Sequence, residues 1–147
     1  MRISDVCTRL DDAITVAALY QCVLGYLYRL RRSNRRWRVY APGIIEENVW
    51  RAQRYGTDGA LVDFGRGELV PMTDLIEELI EMTAPDAAEL DVREEVAAAR
   101  DIVANGTSAH RQLATYEEAT AAGASEREAL SAVVDELIVD SMHGIDV

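Results

Sequence analysis

The reactive side chains of this chain concentrate in eleven residues, Glu46-Glu47-Asn48-Val49-Trp50-Arg51-Ala52-Gln53-Arg54-Tyr55-Gly56. On a helix turning about 100° per residue, Glu47, Asn48, Arg51, Arg54 and Tyr55 fall within about 120° of one another. Ile45, Val49 and Ala52 lie to one side, as an anchoring face would. Two planar guanidiniums one turn apart, flanked by an amide and a phenol, make a donor-rich wall suited to a carboxylate or a transferring phosphoryl group. The competing reading is an ordinary exposed helix, with Glu47–Arg51 an i,i+4 pair worth a few tenths of a kcal/mol. Spacing alone leaves both open.

Other candidates are thinner. His110 and His143 are the only histidines and lie 33 positions apart, with no cluster to make a metal site or activate a nucleophile; the sequence names no metal ligand. Cys7 and Cys22 sit in neither a CxxC nor a CxxH pattern and read as core thiols. P-loop, GxGxxG and GxSxG motifs are absent from the sequence. The Arg29–Arg38 run, interleaved with Trp37 and Tyr40, has the composition of a single-stranded nucleic acid contact. Charge argues against it: residues 1–54 hold ten Arg and five acids, whereas residues 55–147 hold five Arg and twenty-one acids, and the chain totals −11. A body so acidic repels a polyanion, so no nucleic acid partner is expected.

The elements that must position these residues follow from pattern. Arg2–Val6 alternates like a short strand. About Asp12–Arg32 reads as a helix, capped by Asp11 or Asp12 and apolar on nearly every side through its middle. Such a helix is expected to be surrounded by other elements. Its apolar run, Ala13–Tyr28, is shorter than the roughly 20 residues of a membrane span and contains Thr15 and Gln21, so no membrane is expected. Acids at Asp5, Asp11 and Asp12 precede any apolar run, which predicts no signal peptide and a cytoplasmic protein. Pro42 opens a helix through about Arg54 and Gly56 ends it. Gly59–Phe64 and Glu68–Val70, separated by Gly65-Arg66-Gly67, predict a hairpin. Helices follow at Thr73–Met82, about Val92–Ala104 and Ser108–Ala122, and the last opens on a Ser125-Glu126-Arg127-Glu128 capping box. The sequence thus reads as one domain over 1–147, α+β and mostly helical.

Three blocks, Arg2-Ile3-Ser4-Asp5, Leu10-Asp11-Asp12-Ala13 and Asn48–Gly59 (N-V-W-R-A-Q-R-Y-G-T-D-G), occur in an order that resembles the C-terminal region of the carboxylate–amine ligases related to glutamate–cysteine ligase. Gly106–Gln112 and Ala132–Asp135 support the likeness, which runs over essentially the whole chain; N-x-x-R-x-x-R-Y-G is its most specific part. The resemblance implies a glutamine-synthetase-like ligase fold and an enzyme that uses ATP and Mg²⁺ to make an acyl phosphate, which an amine attacks. It assigns catalytic roles to Arg2, Arg51 and Arg54, substrate binding to Asn48, and a turn-shaping or substrate-adjacent place to Tyr55. The expected partners are an amino-acid carboxylate, glutamate for example, and an amine. The glutamate of the family's Glu-x-Arg strand would fall just ahead of Met1, and the other metal carboxylates on earlier strands. The 147 residues are therefore expected to be inactive alone, and to pair with the remaining half of the fold or with a second copy. The alternative is a non-catalytic interaction module or the partner subunit of a split ligase.

Overall fold

A computed structural model of the chain describes residues 6–145. The strand read over 2–6 falls outside them except for Val6. Seven α-helices, one short 3-10 turn (Gly56–Asp58) and one hairpin succeed one another among the described residues: α1 (Leu10–Arg32), α2 (Pro42–Tyr55), β1 (Ala60–Asp63), β2 (Glu68–Pro71), α3 (Met72–Glu89), α4 (Arg93–Ala97), α5 (Ala99–Asn105), α6 (Ser108–Ala121) and α7 (Glu126–Met142). The mostly helical reading and the small antiparallel hairpin are both found. Two compact units result: one comprises Thr15–Asn105, the other the residues up to Ile14 together with Gly106 onward.

In the Thr15–Asn105 unit a small core forms where Ala18 and Cys22 of α1 meet Ala87 of α3 and Val96 of α4, with Leu19, Ile80 and Val92 packed against it. Small side chains on α1 allow that approach. Gly25 is the closest case, since a Cβ there would lie 3.1 Å from Asp86 Oδ1. Asp86 is buried and takes Arg29 Nη2 at 2.8 Å, and Arg29 also donates to the Met82 carbonyl at 3.3 Å. These contacts bear on where α3 ends. The periodic stripe stops at Met82, yet α3 continues through Pro85 to Glu89. Packing of Ala87 and the Arg29–Asp86 pair outweigh the missing proline N–H, a tertiary override of local preference. The helix expected over Val92–Ala104 is broken at Ala98 into α4 and α5.

The all-round apolar middle of α1 leads to the expectation of neighbours on every side, and the structure differs. The first helix is not surrounded. Its length and composition would suffice to cross a membrane, yet only 17% of its most apolar window is buried. The covered stripe is Thr15, Ala18 and Cys22, while Tyr20, Leu24, Leu27 and Tyr28 stay open. Its neighbours within the unit lie on one side only.

The hairpin pairs Ala60 with Pro71, Leu61 with Val70, Val62 with Leu69 and Asp63 with Glu68. Asp63 builds its turn by accepting from the Gly65 and Arg66 N–H groups at 2.7 and 3.0 Å. Those backbone donors, Arg66 foremost, hold its carboxyl below the usual range.

In the other unit α6 and α7 pack as a helical hairpin, and each carries an N-terminal box. Ser125 and Glu128 close the one on α7, as their spacing predicts. On α6 the Thr107 N–H and hydroxyl meet His110 Nδ1 at 3.0 and 2.9 Å, so this histidine serves a helix start. Asp140 on α7, 3% exposed, is the buried charge of the unit. Arg9 Nη2 and Arg111 Nε reach its two oxygens at 2.7 Å each, Thr8 donates at 3.4 Å, and Arg111 also faces Asp12 at 3.5 Å. Burial pushes the Asp140 carboxyl up, but the hydrogen bonds from Arg111 and Arg9 outweigh it and hold the carboxyl below its ordinary value.

Candidate functional site

Helix α2 carries the donor-rich residues, and its ends are set by two local rules. Pro42 occupies the first turn after an extended Ala41, where its missing N–H costs nothing. Gly56, at φ 57°, stops the helix and returns its N–H to the Ala52 carbonyl. No residue of α2 is fully buried. Of the anchoring face expected beside the arginines, Val49 is half-buried, whereas Ile45 and Ala52 are exposed. The helix is held instead by a side chain read as substrate-facing.

That side chain is Asn48. Its Nδ2 donates to the Val62 carbonyl at 2.9 Å, and its Oδ1 accepts the Val62 N–H at 2.7 Å. The amide thereby reproduces the pairing of a neighbouring strand and fixes α2 against β1. Arg51, one turn on, pairs through Nε with Glu47 Oε1 at 2.8 Å, the i,i+4 contact that spacing predicts. This pair takes one of the guanidinium's five N–H donors. Arg54 is exposed, with its guanidinium 5.9 Å from the Tyr55 ring centroid. Tyr55 in turn stands edge-on to Trp50, with centroids 5.7 Å apart. Gly59 makes room for it, because a Cβ there would lie 2.7 Å from Tyr55 Cβ.

Asn48, Arg51, Arg54 and Tyr55 thus share one helix and divide into two jobs by geometry. Asn48 ties the helix down, while Arg51 and Arg54 present cationic donors beside an aromatic pair. Arg2 lies outside the described residues. Such a face can hold a carboxylate or a phosphate by charge-assisted hydrogen bonds. A divalent cation is a different matter: among the described residues no three His, Cys, Asp or Glu side chains are grouped to hold one. Aromatic residues of the Arg-rich loop have local partners. Trp37 stands edge-on to Tyr26 at 5.9 Å, and Tyr40 lies against Phe64 at 4.6 Å. Cys22 is wholly buried; burial first, and the Asp86 charge second, push its thiol pKa up, which makes it a core thiol. What sequence reading missed is the Asp140 network, whose members lie 131 and 29 positions apart and leave no local signal.

A cleft of about 500 Å³ in the Thr15–Asn105 unit is lined by Gly25, Tyr28, Arg29, Arg32, Asp86 and Glu89 among others. Its buried acid is already neutralised by Arg29. The cleft therefore offers weaker chemistry than the arginine face of α2.

The family model described as Glutamate-cysteine ligase family 2 matches residues 1–136. Three relatives, each bearing the name "Putative glutamate--cysteine ligase 2", illustrate the similarity. The one from Rhodospirillum rubrum is 63% identical over 142 residues, covering 97% of this chain and 36% of the relative. That from Paracoccus denitrificans is 44% identical over 93% of this chain and 36% of its own length. That from Chloroflexus aurantiacus is 38% identical over 98% of this chain and 35% of its own length. The chain spans little more than a third of the length of the curated relatives it matches. No solved structure matches it.

Proposed function

This chain belongs to glutamate-cysteine ligase family 2, and on that premise we propose that it forms part of an ATP-dependent ligase joining a carboxylate to an amine. Glutamate is the acyl donor and cysteine the amine that the relatives' names suggest. In this reading the stretch is the C-terminal portion of a glutamine-synthetase-like fold, working in the cytoplasm where ATP is at hand. The single observation that carries the proposal is the family match over residues 1–136. The geometry of α2 supports it, since the arginine face suits the anions of such a reaction.

The chemistry has two steps. A carboxylate oxygen attacks the γ-phosphorus of ATP and ADP leaves, giving an acyl phosphate. The amine nitrogen then attacks the acyl carbon, phosphate departs, and the amine loses a proton as the amide forms. Negative charge shifts between oxygens at each step, and fixed cationic donors stabilise it. Arg51 and Arg54 supply those donors, together with Arg2 at the start of the chain. Asn48 positions them by pinning α2 to the hairpin, and Tyr55 borders the substrate while stacked near Arg54. Family chemistry brings Mg²⁺ with ATP, but the described residues of this chain do not by themselves fit a metal site.

The test is a chimera in which this chain replaces the stretch it matches in the Rhodospirillum rubrum relative. Phosphate release from ATP should require both glutamate and cysteine, and Arg51→Ala in the chimera should lower kcat by about 10²–10³-fold, as loss of one charge-stabilising donor does. The isolated 147-residue chain is expected to show no ligation. An inactive chimera beside an active parent would overturn the proposal.

A further inference from the structure

Helix α1 carries a second apolar seam that no other element of the Thr15–Asn105 unit buries. Ala17, Tyr20, Gln21, Leu24, Leu27, Tyr28 and Arg31 are all exposed, and their spacing of three and four residues lines them along one face. The four large members are 40–63% open to solvent. Opposite them, Ala18 and Cys22 pack into the core of the Thr15–Asn105 unit. A helix apolar on two faces is built for two neighbours, and the described residues of the Thr15–Asn105 unit supply one.

We infer that this seam is the docking surface for the portion of the ligase fold that the longer relatives carry beyond the stretch matched by this chain. The inference rests on the ligase reading above and names the surface through which the two portions assemble, whether joined in one polypeptide or as separate chains. Relative length identifies the occupant. A protein 63% identical over 97% of this chain has only 36% of its own length in the match, so almost two-thirds of that relative is polypeptide outside the matched stretch. Charge disfavours a second copy, because each copy carries a net −11 and two such bodies repel. A bilayer is disfavoured by the protein contacts on the other face, where Arg29 and the buried Asp86 make an ion pair at 2.8 Å beside the packed Cys22.

The test uses Tyr20→Glu/Leu24→Arg, which places an i,i+4 pair of the helix-favouring orientation on the seam and touches neither Ala18 nor Cys22. In the isolated chain the urea midpoint should be unchanged, since both positions already face solvent. In the Rhodospirillum rubrum chimera the same variant should lower the midpoint, because it forces two charges into an apolar interface. Co-expressed with the unmatched portion of that relative carrying an affinity tag, the wild-type chain should co-purify, and the variant should be retained about tenfold less or worse.

Four results would overturn the inference: equal midpoint losses in chain and chimera, no loss in the chimera, a wild-type dimer in light scattering that the variant abolishes, or flotation with phosphatidylethanolamine–phosphatidylglycerol vesicles. A chimera that is sensitive to the variant but has no ligase activity keeps the docking surface and removes the ligase reading.

Discussion

Replacing Asp140 by Asn keeps the shape of a buried side chain and removes its charge. In the native unit Asp140 is 3% exposed and receives Arg9 Nε and Nη2 on one oxygen at 2.8 and 2.7 Å, and Arg111 Nε on the other at 2.7 Å. The amide would accept from one arginine and turn its NH₂ toward the other, donor against donor. Breaking a buried ion pair costs about 3–5 kcal/mol. Two features reduce that cost here: Arg9 is 30% exposed and recovers hydration, and Arg111 has Asp12 at 3.5 Å as a second partner. The expected loss is therefore about 2–4 kcal/mol, a large share of the roughly 5–15 kcal/mol of a typical domain. Urea unfolding at pH 7 should show a lower midpoint at constant slope.

The pH dependence has a definite sign. The folded carboxyl lies below its unfolded value, so its contribution is complete above about pH 4–5 and is lost as pH falls through the folded pKa. The gap between wild type and Asp140→Asn should narrow on acidification from pH 7 toward pH 3. A difference below about 0.5 kcal/mol at pH 7, the size of an ordinary surface substitution, would refute the reasoning, as would a gap that does not shrink in acid.

Two further outcomes follow from local geometry. Asn48→Asp sets a carboxylate oxygen where Nδ2 now meets the Val62 carbonyl at 2.9 Å, so the tie should fail at a cost of about 1–3 kcal/mol. Hydrogen exchange at the Val62 amide should accelerate while amides of α6 and α7 keep their protection. Gly106→Ala places a Cβ 2.8 Å from His110 Cβ at a φ of +82°. Both terms oppose it, and thermal unfolding should show a loss of more than about 1 kcal/mol.

Local rules made much of this chain readable. Pro42, Gly56, the Gly65–Gly67 turn and the Ser125–Glu128 box each act through neighbours a few residues away, and each is found where pattern placed it. Legibility stopped where distant residues decide. Pro85 suggests an end to α3, but Arg29, 57 positions away from Asp86, helps hold the helix together beyond it. The Asp140 network joins residues from opposite ends of the chain and has no periodic trace. For Asn48 the sequence gives an exposed-looking polar position on a donor-rich face. Only the register of β1 reveals that Val62 turns its N–H and carbonyl toward it. Arg51 and Arg54 were legible as a pair because helical spacing alone brings them together.

The Asn48 amide has one more consequence. A two-stranded sheet leaves the outer side of each strand with unpaired N–H and carbonyl groups, which form a template for any passing extended chain. On β1 the template is already occupied at Val62 by a side chain that offers one donor and one acceptor and then ends. An asparagine satisfies the strand without being able to propagate it. A third strand could add to β1 only by first displacing that amide, so the residue that steadies the arginine helix also guards the hairpin against runaway strand addition.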